Sequence, residues 1–196
     1  MEADWEIEVG GDAPVIEARW QGYVDLQREP RLSLLLPEAI QLPALGRALA
    51  QLNSVGWPVW TSKCDLWPVT NPNEFNGDEL DAPAGATSSA VACYIDLLPG
   101  SNQQWVDRDS AAIVCNRWCM PLKAVALRAC RVDFVIRAAF FGPNIWGHGV
   151  TVYITACGPN DGEARAVLER ALDAFTHVIC PDSTLQSIQW ASSSIG

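Results

Sequence analysis

The feature that most constrains this chain is a period-two alternation that recurs along its length. From Val59 to Trp67, Ala92 to Leu98, Ala129 to Ala139 and Val150 to Ala156, apolar residues take every second position, with polar or charged ones between them. Successive side chains of a strand point to opposite faces, so each run reads as a strand with one buried and one polar side. The same pattern marks Val15 to Asp25. There Ile16, Ala18, Trp20 and Val24 lie on one side, and Glu17, Arg19, Tyr23 and Asp25 on the other. Trp5, Ile7 and Val9, alternating with Glu6 and Glu8, make a short edge strand.

Helical spacing replaces this pattern in three places. Pro43 suits a first helical turn, and Leu45, Ala48, Leu49 and Leu52 follow as an apolar stripe. Asp107 or Asp109 caps a second helix, with Ala111, Val114, Cys115, Trp118 and Leu122 as its buried stripe; Pro121 is expected to stop it near Met120. Asn160 or Asp161 caps a third, which buries Ala164, Leu168, Leu172, Phe175 and Ile179.

The order is β-α-β-β-α-β, followed by a further β-α unit. The expected fold is therefore α+β: an antiparallel sheet of about five strands with helices on one face. Between Val15 and Ala139 the order resembles the ferredoxin-like βαββαβ arrangement, to which the last βα unit is added. That likeness is one of fold, and such folds host many unrelated functions. Residues 1–180 are expected to form one domain, with a Ser-rich tail over 181–196.

Parity then assigns the face opposite the helices. It gathers Arg19, Lys63, Asp65, Tyr94, Asp96, Arg131, Asp133 and Arg137, with Trp67, Thr151, Tyr153 and Thr155 as neighbours. Both charge signs interleave there. Arg grips carboxylate or phosphate groups through paired donors, and Tyr and Trp add flat contact area. An Asp or Lys whose pKa is shifted by burial can move protons. The long stretch 68–90, rich in Asn, Pro, Gly and Asp, is placed to fold over this face as a lid. A solvated face of complementary charges is the simpler alternative.

The loop 140–149 is a second candidate contact. Phe140, Phe141, Ile145 and Trp146 precede Gly147-His148-Gly149, and Trp146 and His148 are its candidate binding residues. Its glycine spacing lacks the Lys-Ser/Thr ending of a phosphate loop, and a strand follows it instead of a helix. The seven cysteines show no Cys-x-x-Cys spacing. Cys115 and Cys119 share a helix face, and Cys64, Cys93 and Cys130 share the covered side of the sheet, as core thiols do. No metal or cofactor is expected. Two histidines and no Gly-x-Ser-x-Gly give no sign of a hydrolase triad.

Charge decides among partners. The 23 Asp and Glu against 13 Lys and Arg leave a net charge of −10. That repels phosphate backbones and anionic bilayers, so neither nucleic acid nor membrane is expected as a partner. No run approaches the ~20 apolar residues of a membrane span. Met1 to Glu8 is acidic and lacks the apolar centre of a secretory signal, which together with unpaired thiols points to the cytoplasm.

Two kinds of function remain. One is a binding protein that offers the charged face and the aromatic loop to a basic protein partner; in composition it is similar to small acidic bacterial immunity proteins. The other is a small-molecule enzyme, or a binder of a small polar ligand, with a pocket on that face beneath 68–90. A homodimer through the same face is a third use. No motif of known mechanism selects among them, so whether the chain is an enzyme stays open.

Overall fold

A computed structural model describes residues 1–10, 13–70, 75–83, 87–100, 105 and 107–181. Its centre is one mixed sheet. Strands β1 (Glu2–Ile7), β2 (Ile16–Glu17), β3 (Val59–Val69), β4 (Ser89–Pro99), β5 (Cys130–Gly142) and β6 (Ile145–Gly158) pair in the order β1-β5-β6-β4-β3. β2 lies beside β5 beyond the end of β1. A short 3-10 helix (Pro30–Leu35) and helices α1 (Pro37–Gln41), α2 (Pro43–Leu52), α3 (Arg108–Lys123) and α4 (Asp161–Ile179) complete the described elements. β4 and β5 each run antiparallel to β6, so they are parallel to one another with β6 between them. With α3 they form a split βαβ unit.

The helix starts are chemically specified. Asp107 accepts a hydrogen bond from the Ser110 amide at 2.8 Å, and Asn160 accepts one from the Glu163 amide at 3.0 Å. The core lies between the helices and one sheet face. At its centre Phe134 packs between Trp118 and Phe175, with ring centroids 5.7 and 6.3 Å away. No helix among the described residues is long and apolar enough to cross a membrane.

Several expectations change. The sheet is not purely antiparallel, because β1 and β2 both run parallel to β5. Val15 to Asp25 is not a strand along its length, since only Ile16–Glu17 pairs. After that the chain turns at Gly22, whose φ is +96°, and becomes a strap. Ala18 donates its amide to Phe140 at 2.9 Å, while the Ser62 hydroxyl donates to the Glu17 carbonyl at 2.5 Å. One short segment thus touches both β5 and β3, so the sheet curls at this end and the strap bridges its edges. Ile16, Ala18, Trp60, Leu98 and Ala139 form a small buried cluster there, on the side away from the helices.

Strand β3 carries a bulge between Thr61 and Cys64. Val59 and Thr61 therefore share the helix side with Cys64 and Leu66, and the single parity expected from Val59 to Trp67 fails. Helix α3 continues through Pro121 to Lys123, because a proline so near the end removes little helical bonding. The loop 140–149 is mostly strand. Its turn is only Pro143-Asn144, with Asn144 at φ +62°, the pattern of a proline-led type II turn. The tail from residue 182 onward, and 71–74 and 84–86 within the stretch 68–90, lie outside the described residues.

Candidate functional site

Ladder register sets the polar side chains of the open face in rows. One row, Asp4–Asp133–Tyr153–Tyr94–Asp65, crosses all five main strands. Beside it run Glu2–Arg131–Thr155 on one side and Glu6–Val135–Thr151–Asp96 on the other. Like charges directly opposite each other, as Asp4 and Asp133 are, repel unless a cation lies between them. Arg131 supplies it. Its Nε donates to both Asp133 carboxylate oxygens at 2.7 and 2.9 Å, and a terminal nitrogen lies 3.9 Å from Asp4.

Arg137 is the second cation. It pairs with Glu8 at 2.5 Å, donates to the Tyr153 hydroxyl at 3.1 Å, and lies 5.5 Å above the Tyr153 ring. The rings of Trp67, Tyr94 and Tyr153 continue the row at centroid spacings of 6.2 and 6.0 Å.

A wall turns this face into a cleft. Phe75, Asn76, Glu79 and Leu80 stand against Asp4, Glu6 and the β5–β6 side chains and enclose about 390 Å³. Arg128 anchors the wall by gripping both carboxylate oxygens of Asp81, at 2.8 and 3.0 Å. The hydrogen bond from Arg128 holds the Asp81 carboxyl below its usual range.

The cleft lining holds four carboxylates (Asp4, Glu6, Glu79 and Asp133) against two guanidinium groups (Arg131 and Arg137). Among the described residues Glu6 and Glu79 take part in no ion pair. Burial raises the Asp133 carboxyl above its ordinary range, Arg131 pulls it back, and Asp4 and Glu6 push it further up. Burial likewise raises Asp96, which is only 7% exposed and accepts a 2.6 Å hydrogen bond from the Thr151 hydroxyl.

Of the residues named from sequence, Arg131, Asp133 and Arg137 meet in the cleft. Tyr94 stacks beside it, and Asp96 lies buried under the same face. Asp65 is exposed at the far end of the row. Lys63 leaves the face through the bulge and stands 5.4 Å over the Trp20 ring. Arg19 is exposed on the strap, outside the cleft lining.

Trp146 and His148 do not join them. Register pairs them with Phe140 and Ala138, on the parity of the core residues Ile136 and Val150, which is the opposite side of the sheet. Trp146 is 64% exposed and stacks on Phe140 at 5.1 Å. His148 is half-buried, and its Nδ1 has no hydrogen-bond partner among the described residues.

The thiols of Cys93, Cys115, Cys119, Cys130 and Cys157 lie in the core. Burial pushes Cys119 and Cys130 up to about 11. Among the described residues no group of three or more His, Cys, Asp or Glu is arranged to hold a metal ion.

Sequence reasoning missed the acidic rim on β1. The signal was present, because Trp5 and Ile7 inward imply Asp4, Glu6 and Glu8 on the polar side. What periodicity could not supply was the partner strand, which lies more than a hundred residues away. Comparison with known protein families, curated proteins and solved structures finds no match to this chain.

Proposed function

We propose that this is a binding protein whose open sheet face receives a cationic group presented by a basic protein partner. The observation that supports it is the excess of carboxylates in a walled cleft that also offers aromatic faces. Ammonium and guanidinium groups gain charge-assisted hydrogen bonds from such carboxylates, and ring faces add to their attraction. The protein's net charge of −10 would speed encounter with a basic partner. We place the binding event in the cytoplasm, where seven free thiols are at home. Neither nucleic acid nor a membrane surface fits this charge.

The test is a titration with an arginine-rich peptide. The expected result is saturable, salt-sensitive binding with amide shifts at Asp4, Glu6, Glu79 and Tyr153. Glu6→Gln with Glu79→Gln should weaken it about three- to tenfold, roughly the loss of two partly exposed ion pairs. Asp109→Asn with Asp173→Asn, on exposed helix positions, should not. Equal losses from both pairs would reduce the effect to overall charge and sink the proposal.

One observation favours a second reading. The wall of residues 75–80 and the raised carboxyl of Asp133, beside Arg131, also suit a small polar ligand or a proton-transfer role in that cleft. A homodimer through the face would hide Glu6 and Glu79, and a concentration-independent monomer in sedimentation would remove it. The fold's likeness to ferredoxin-like proteins is proposed only as far as the split β4–α3–β5 unit carries it.

A further inference from the structure

The bulge in β3 opens a second hollow, at the opposite edge of the sheet from the acidic cleft. It encloses about 270 Å³ between the strap, the start of α1, helix α2 and the bulged residues Thr61 to Cys64. Val24, Leu26, Leu36 and Leu49 give it apolar walls. Two opposite charges also stand on the lining, Lys63 from the bulge and Glu38 from α1. They do not neutralise each other, since neither takes part in an ion pair among the described residues.

The roof is pinned in place. Trp20 donates its indole N–H to the Ser62 carbonyl at 3.3 Å, and Ser62 donates its hydroxyl to the strap at Glu17. Gly22 lets the strap lie close on Trp20, where an added Cβ would come within 3.0 Å of the ring. A packing defect would leave an apolar void. Here an apolar hollow carries one cation and one anion that enter no ion pair among the described residues, with Lys63 over the Trp20 ring, the complement of a molecule with an apolar body and two opposite charges. Its volume matches about nine waters at ~30 Å³ each, smaller than a drug-sized site.

We propose that this hollow binds a small apolar amino acid of about the size of leucine. The ligand carboxylate pairs with Lys63, its ammonium with Glu38, and its side chain lies against Leu36 and Leu49. This site shares no lining residue with the acidic cleft, so the two proposals stand or fall separately.

The experiment follows the methyl signals of Leu26, Leu36 and Leu49 by NMR in the full chain. The ligands are leucine, its deaminated acid isocaproate and its decarboxylated amine isoamylamine. Leucine should shift these methyls saturably, and each analogue should bind about tenfold more weakly, having lost one charge-assisted contact. Lys63→Met should abolish leucine's advantage over isoamylamine, and Glu38→Gln its advantage over isocaproate. The ligand series needs only the wild-type chain, so a variant that fails to fold leaves the result intact. Absence of any local methyl shift up to about 10 mM leucine, weaker than the millimolar end of the affinity scale, overturns the proposal. So does an analogue that binds as tightly as leucine.

Discussion

The two faces of this sheet are built by the same residues in alternation, yet they are held by different physics. Along β5, Val132, Phe134 and Ile136 enter the core, while Arg131, Asp133 and Arg137 point to the open side. The inner set is fully buried and stabilised in proportion to area and close packing. The outer set is stabilised by pairs such as Arg131–Asp133, whose side chains are about a third exposed and add little each. A strand can therefore commit one parity to folding and leave the other available for recognition.

The sharpest way to break this comparison is to cut both parities at one place. Phe134→Ala should cost about 3–5 kcal/mol, because Trp118 and Phe175 cannot close the space between them. Asp133→Asn, the next residue, should cost under about 1.5 kcal/mol, since an amide still accepts from Arg131. Urea unfolding of the two variants gives the ratio. Comparable losses would mean that the open face is as much a part of the fold as the core.

Asp96 tests where the division blurs, for it belongs to the open parity but is buried. Burial raises its folded pKa above the unfolded value, so the folded state binds the proton more tightly. Its stabilising effect is complete below the ordinary Asp range and is lost as pH rises through the raised pKa. Asp96→Asn cannot ionise and can still accept from Thr151. The variant should gain on the wild type as pH rises above the ordinary Asp range, by about 1 kcal/mol once the wild-type carboxyl is ionised, the scale of one poorly solvated polar group. A difference that is flat with pH would show that the carboxylate is adequately solvated where it lies.

What was legible in the sequence follows from the same division. Period two located β3 to β6 and, apart from the start of β3 before its bulge, their polar sides, because burial of one face writes itself into every second residue. The helix stripes and the Asp107 and Asn160 caps were legible for the corresponding reason, since each is settled within a turn or two. The Val15 to Asp25 alternation misled, because only Ile16–Glu17 pairs as a strand, and Ile16 and Ala18 are buried in the small cluster with Trp60, Leu98 and Ala139 on the open side of the sheet. The bulge at Ser62 and Lys63 shifts parity by one residue, and nothing in Trp60 to Asp65 marks it. The acidic rim needed the β1–β5 pairing, a contact between segments more than a hundred residues apart that no local pattern encodes.

The smallest expected effect concerns the wall that makes the open face a cleft. Residues 75–82 form a tight turn, closed by Ala82 donating to Gly77 at 2.9 Å and by Leu80 donating to the same carbonyl at 3.2 Å. Asp81 holds a left-handed φ of +51°, and its side chain is tied to Arg128. That pair is solvent-exposed, so Arg128→Ala should leave the unfolding midpoint unchanged. Its effect should be local. With the tether gone, only the apolar packing of Leu80, Phe75 and Ala82 holds the turn against the core, and the amides of Leu80 and Ala82 should exchange faster while those of Phe134 and Val152 do not change. Because Glu79 reaches the cleft only through this turn, binding of a cationic peptide should weaken with the loosening of the wall. Unchanged exchange at Leu80 would show that its own burial, at 3% exposure, holds the wall without Arg128. The cleft would then owe its shape to the same apolar packing that governs the other face.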